Sequence, residues 1–130
     1  VSLLVDTNIC IAWLKGDEAV KKAWMACDPD ELMLSSVVRA ELLFGARHSK
    51  QVTANLRRLE VLFGALRSVP FDDVAAGHYG FVRAQLSSQG RPIGPNDLMI
   101  AATALAHDAT LVTRNESEFA RVVGLRVVSW

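Results

Sequence analysis

The sequence predicts an α/β fold built on a mostly parallel sheet, and three observations carry that prediction. Short apolar runs of β type alternate with segments of helical character along the whole chain. Three of those runs are followed directly by Asp or Ser, side chains that cap the free backbone N–H groups of a starting helix. The size and composition fit as well. At 130 residues, 51% hydrophobic and 22% charged, the chain amounts to one folded domain with enough apolar material for a core.

In order, Leu3-Leu4-Val5 reads as the first strand, and Asp6-Thr7-Asn8 as the start of a helix running from about Ile9 to Lys15, ended by Gly16. Asp17-Glu18 opens a second helix to about Cys27, broken by Asp28-Pro29-Asp30. Leu32-Met33-Leu34 is the next strand, with Ser35-Ser36 capping a helix to about Ala46. Residues 51–66 read as a further helix, Val69-Pro70-Phe71 as a short strand, and Asp72-Asp73 as another helix start. The Gly- and Pro-rich stretch Gln89 to Pro95 is a loop, after which Asn96 is expected to cap a helix reaching His107. Thr110 to Thr113 and Arg126 to Val128 complete the strands.

Equal numbers of basic and acidic residues, 14 of each, exclude a protein that grips nucleic acid by bulk charge alone. Cys10 and Cys27 have no Cys-x-x-Cys or Cys–His spacing and read as reduced thiols. No apolar run approaches the ~20 residues of a membrane span, and the apolar start stops at Asp6 with no basic region before it. The expected compartment is the cytoplasm, with no membrane contact.

Several acids stand where packing alone would not put them. Asp6 lies at the end of the first strand, where it also suits a helix cap. Glu41 shares a helical stripe with Val37, Val38, Phe44 and Gly45, and Asp97 heads a stripe of Ile100, Ala101, Ala104 and Leu105. Glu116 and Glu118 follow the strand at 110–113, where they also fit a solvated loop or short helix. A parallel sheet brings strand ends and helix starts to one edge, where its ligands bind. Two like charges ~4 Å apart repel by about 4 kcal/mol at an effective dielectric of 20. A group of carboxylates is thus costly as a structural feature and well suited to Mg²⁺ or Mn²⁺, hard cations that take oxygen ligands. The residues alone point to metal-dependent phosphoryl transfer.

Four blocks resemble the successive motifs of a PIN domain, specifically the bacterial ribonuclease toxins of the VapC kind. They are Leu4-Val5-Asp6-Thr7-Asn8, Ser36 to Ala46, Ile93 to Ala102, and Leu111-Val112-Thr113-Arg114-Asn115. The resemblance spans essentially the whole chain and implies one PIN domain over 1–130, a three-layer α/β/α fold with a short, mostly parallel sheet. It implies Asp6, Glu41 and Asp97 as the catalytic, metal-holding acids, Mg²⁺ or Mn²⁺ as cofactor, and hydrolysis of RNA. Thr7, Asn8, Thr113 and Asn115 would support the pocket. The fourth acidic position departs from the common pattern: Glu118 stands before Phe119 where relatives often carry Asp, and would meet the metal directly or through water. The first block and Ile93 to Asp97 resemble most the members that cut initiator tRNA in its anticodon loop. The family also implies a homodimer silenced by a VapB-type antitoxin, with apolar surface supplied by helices at 9–26 and 51–66.

From Arg39 to Arg67 six basic residues face two acids, with His48 besides. Arg39, Arg47, His48, Lys50 and Arg114 are therefore the candidate contacts to an RNA backbone. Trp13, Trp24 and Phe44 fall at core spacings and read as packing rather than stacking platforms. The three histidines form no triad or zinc pattern, and neither a P-loop nor G-x-G-x-x-G is present. A receiver domain would need a paired acid near the first strand, and a haloacid-dehalogenase-type phosphatase Asp in place of Asn8. The alternative that survives is a catalytically weak PIN-like module that binds RNA or protein.

Overall fold

The computed structural model describes residues 1–130. Five strands, β1 (Leu3–Val5), β2 (Leu32–Ser35), β3 (Arg67–Val69), β4 (Thr110–Val112) and β5 (Val127–Val128), form one sheet in the order β3-β2-β1-β4-β5. Every pairing is parallel, with Leu4 opposite both Met33 and Leu111. The helices are α1 (Thr7–Leu14), α2 (Glu18–Met25), α3 (Ser36–Arg47), α4 (Val52–Ala65), α5 (Asp73–Ser88), α6 (Pro95–Ala106) and the one-turn α7 (Glu116–Phe119). A 3₁₀ turn at Pro29–Glu31 enters β2.

Because crossovers between parallel strands are right-handed, the direction of travel across the sheet decides where each helix lies. From β1 to β3 the chain moves one way and lays α1 to α4 on one face; from β3 it crosses to β4 and β5 and lays α5 to α7 on the other. The direction reverses between β1 and β4, which opens a crevice at their carboxyl ends. Strands covered on both faces must be apolar throughout. Leu4, Val5, Leu32, Met33, Leu34, Leu111 and Val112 are accordingly buried. The stacked rings of Trp13 and Trp24, 4.5 Å apart, lock α1 to α2, and Gly16 makes the turn between them at φ +78°.

Several boundaries differ from the sequence reading. β3 ends at Val69, before Pro70, whose missing N–H cannot join a ladder. α1 begins at Thr7 rather than Ile9, directly on its cap Asp6. α6 is opened by Pro95 in its first turn after Gly94, not by an Asn96 cap, because the fixed φ of proline already suits a helix start. Asn96 is thereby released to solvent. The core face of α3 is Val38, Leu42 and Ala46, while Phe44 is 69% exposed, so its core assignment is overturned. Cys10 and Cys27 are both free, the first in the core and the second half-buried. No helix is long and apolar enough to cross a membrane.

Candidate active site at the β1–β4 crevice

Asp6 leaves β1 at the crevice with its N–H donated to the carbonyl of Val112, the last residue of β4. This backbone bond ties the two strand ends together and turns the Asp6 carboxylate inward, where it is 4% exposed. One oxygen, Oδ1, accepts from the N–H of Thr7 at 2.8 Å and so caps α1; the other, Oδ2, accepts from the Thr113 hydroxyl at 2.7 Å. Cap and site residue are thus one side chain. Thr113, itself fully buried, also accepts from the Asn115 N–H at 3.0 Å.

Glu41 reaches the crevice from α3. Its Oε1 accepts from the Thr7 hydroxyl at 2.8 Å, which joins two residues 34 apart in sequence. Thr7→Val keeps the shape and removes this donor. The expected outcome is that the RNA cleavage implied by the sequence resemblance falls about tenfold with stability changed by no more than ~1 kcal/mol, read from initial rates and thermal melts of the same preparations. Equal rates for the two chains would show that Thr7 does not position Glu41.

Asp97 enters from the first turn of α6 and is partly buried. Burial pushes its carboxyl up to about 6, with the charges of Asp6, Glu118 and Glu41 adding to the rise. Burial likewise raises Asp6; the Thr113 and Thr7 hydrogen bonds pull it down, and Glu41 and Glu118 push it up. Every charge acting on these two carboxyls from a neighbouring side chain is negative. Glu118, at the fourth position, is held by the Asn115 amide at 2.6 Å and by the N–H of Gly94 at 3.4 Å, which fastens α7 to the entry of α6.

The four acids act on one another electrostatically, yet no three of them close around a common point as they stand. Mg²⁺ commonly takes only one or two carboxylates and keeps several waters, so this all-oxygen set suits a partly hydrated hard cation. Thr7, Thr113 and Asn115 join the network through the bonds above. Asn8 does not: it is exposed and lines a separate depression with Lys15, Asp17 and Arg114.

The basic candidates are scattered rather than gathered. Arg114 pairs with Asp17 at 3.0 Å and donates to the Trp130 carbonyl, while Arg39 lies over the Phe63 ring at 4.3 Å. Arg47, His48 and Lys50 are exposed at the end of α3 and just beyond it, with His48 stacked on Phe44. Lys15 and Arg58 instead line a groove with Glu41, between α1, α3 and α4, where Arg58 donates to the Leu14 carbonyl. Arg58 stood in the basic run; Lys15, isolated before Gly16, carried no signal in sequence.

The PIN domain family model matches residues 3–125. The tRNA(fMet)-specific endonuclease VapC of Shigella flexneri is 38% identical over 130 residues, covering 100% of this chain and 98% of its own length. Among solved structures, VapBC2 from Rickettsia felis bound to a DNA fragment from their promoter superposes with a TM-score of 0.94 at 32% identity, over 100% of this chain and 99% of that one. DNA-bound VapBC from Salmonella typhimurium gives 0.94 at 34%, over 100% and 98%.

Proposed function

The chain belongs to the PIN domain family, among its VapC ribonuclease toxins, and from that premise we propose that it is a divalent-cation-dependent endoribonuclease cutting the anticodon loop of initiator tRNA. The observation that carries the reading is the gathering of Asp6, Glu41, Asp97 and Glu118 at one crevice, where hydrogen bonds from Thr7, Thr113 and Asn115 hold three of them and only acids act on the buried Asp6 and Asp97. Full-length similarity to the Shigella flexneri tRNA(fMet)-specific endonuclease supports the choice of RNA.

In this reading Asp6 and Asp97 would hold Mg²⁺ or Mn²⁺, Glu41 would hold it or orient the attacking water, and Glu118 would complete the acidic wall. When bound, such an ion supplies an activated water and neutralises charge developing on the phosphate and leaving oxygen. The chain's own groups prepare that arrangement: Thr113 and the Thr7 N–H fix both oxygens of Asp6, and the Thr7 hydroxyl fixes Glu41. Asn115 does the same for Glu118. The partner is a VapB-type antitoxin, a reading supported by the VapBC complexes the chain resembles, and we take the chain to act as a homodimer.

Purified chain incubated with total bacterial RNA, with the new 5′ ends mapped, tests this directly. Discrete cuts concentrated in initiator tRNA are expected with Mg²⁺ or Mn²⁺, and none with chelator. Cuts that persist undiminished in chelator would remove the metal from the reaction. Cuts in another RNA would keep the nuclease and change its substrate.

A further inference from the structure

Phe44 spends a large apolar surface in water, at 69% exposure, and it does so one turn along α3 from Glu41. Of the two strongly exposed phenylalanines, Phe44 and Phe81, only Phe44 lines the open cleft that also holds Thr7 and Glu41. That cleft measures about 660 Å³; Val37, Met99 and the Phe44 ring give it an apolar wall beside Glu41, and Asn96 also lines it. The His48 ring stacks against it, with centroids 5.5 Å apart and planes within 12°, and the His48 backbone N–H is bonded to the Phe44 carbonyl at 2.9 Å. The Phe44 ring is therefore in contact with an imidazole carried by the same helix end.

A wall of this kind does not suit a phosphate, which belongs at the acids and their cation. It suits the flat, apolar face of a base next to that phosphate. Unpaired bases are held mainly by stacking on aromatic rings, whereas a base inside a duplex has both faces covered by its stacked neighbours. We propose that Phe44, with His48 stacked against it, is the stacking platform for the unpaired nucleobase flanking the cut phosphate, and so the residue that favours RNA with an unpaired base at the cut. The proposal rests on the ribonuclease reading and deepens it: the substrate is single-stranded or looped RNA whose base can leave its own stack.

The test uses a short single-stranded RNA spanning the mapped cut, with 2-aminopurine at the flanking position. It is bound by the Asp97→Asn chain in Mg²⁺, so that the RNA stays whole. With Phe44 present the fluorescence is quenched on binding. Phe44→Ala and Phe44→Leu lose the quenching and bind about tenfold more weakly, within the range found for single base–aromatic stacks. Phe44→Trp restores both. Leu behaving like Phe would overturn the proposal, because apolar contact would then suffice. So would a change of oligomeric mass in the Phe44 variants, which assigns the ring to a second copy or a protein partner. An unaltered chain that cuts RNA with Phe44 dispensable overturns the stacking alone; one that cuts nothing overturns the ribonuclease reading with it.

Discussion

Asp97→Asn is expected to lower RNA cleavage by at least about 10²-fold while raising the melting temperature of the metal-free protein at pH 8. The two effects share a cause. Burial and three neighbouring carboxylates lift the Asp97 carboxyl from an ordinary 3.8 to about 6. A carboxyl raised in this way binds more proton in the fold than in the unfolded chain between those values, so stability is lost as pH rises through about 4 to 6. At pH 8 the penalty is fully present. Allowing for the partial exposure of Asp97, it amounts to about 1–2 kcal/mol, which the neutral amide avoids. Below pH 4 the difference between the two chains should vanish. Thermal melts of both chains at pH 4 and 8, in chelator, check the sign. If the variant melts lower at pH 8, Asp97 is a structural cap and not a site held ready at the expense of stability.

Asp6 illustrates why such a site was legible in sequence at all. Apolar runs closed by Asp or Ser mark strand ends that feed helices, and a parallel sheet gathers those ends. Asp6, on its strand end, and Glu41 and Asp97, inside apolar helical stripes, could thus be singled out before any contact was known. The pairings that fix them could not. Thr113 binds Asp6 across 107 residues and Thr7 binds Glu41 across 34, and nothing local in the chain announces either bond. Asn115 and Glu118, three residues apart on one turn, were within reach of sequence reasoning. The core reading of Phe44 fails for a general reason. A helical stripe reports that residues share a face, not whether that face meets the core or a cleft. The stripe through Val37, Glu41 and Phe44 meets the cleft, while Val38, Leu42 and Ala46, one or two positions on, meet the core. Asn96 was misplaced because a proline at the first turn can start a helix without a side-chain cap.

Phe119→Ala should destabilise the chain by about 3–5 kcal/mol, the usual cost of emptying a fully buried phenylalanine site. Phe119 is wholly buried and among the largest side chains in the core to be so. α7, which carries it, is only four residues long and has no side-chain cap. An isolated single turn does not hold itself together, since its nucleation cost exceeds what one or two hydrogen bonds return. The ring is what keeps α7 seated, and α7 in turn presents Glu118 to the N–H of Gly94 and to Asp97. For a domain of this size the loss corresponds to a drop of roughly 10–20 °C in melting temperature. Phe119→Leu retains most of the apolar volume and should cost only about 1–2 kcal/mol. Glu118→Gln separates the two duties of this turn: the melting temperature stays within a few degrees of the unaltered chain, while cleavage falls because the acidic wall loses a charge. A Phe119→Ala chain that melts within about 3 °C of the unaltered one would mean that α7 is seated by its hydrogen bonds to Asn115 and Gly94 rather than by its ring.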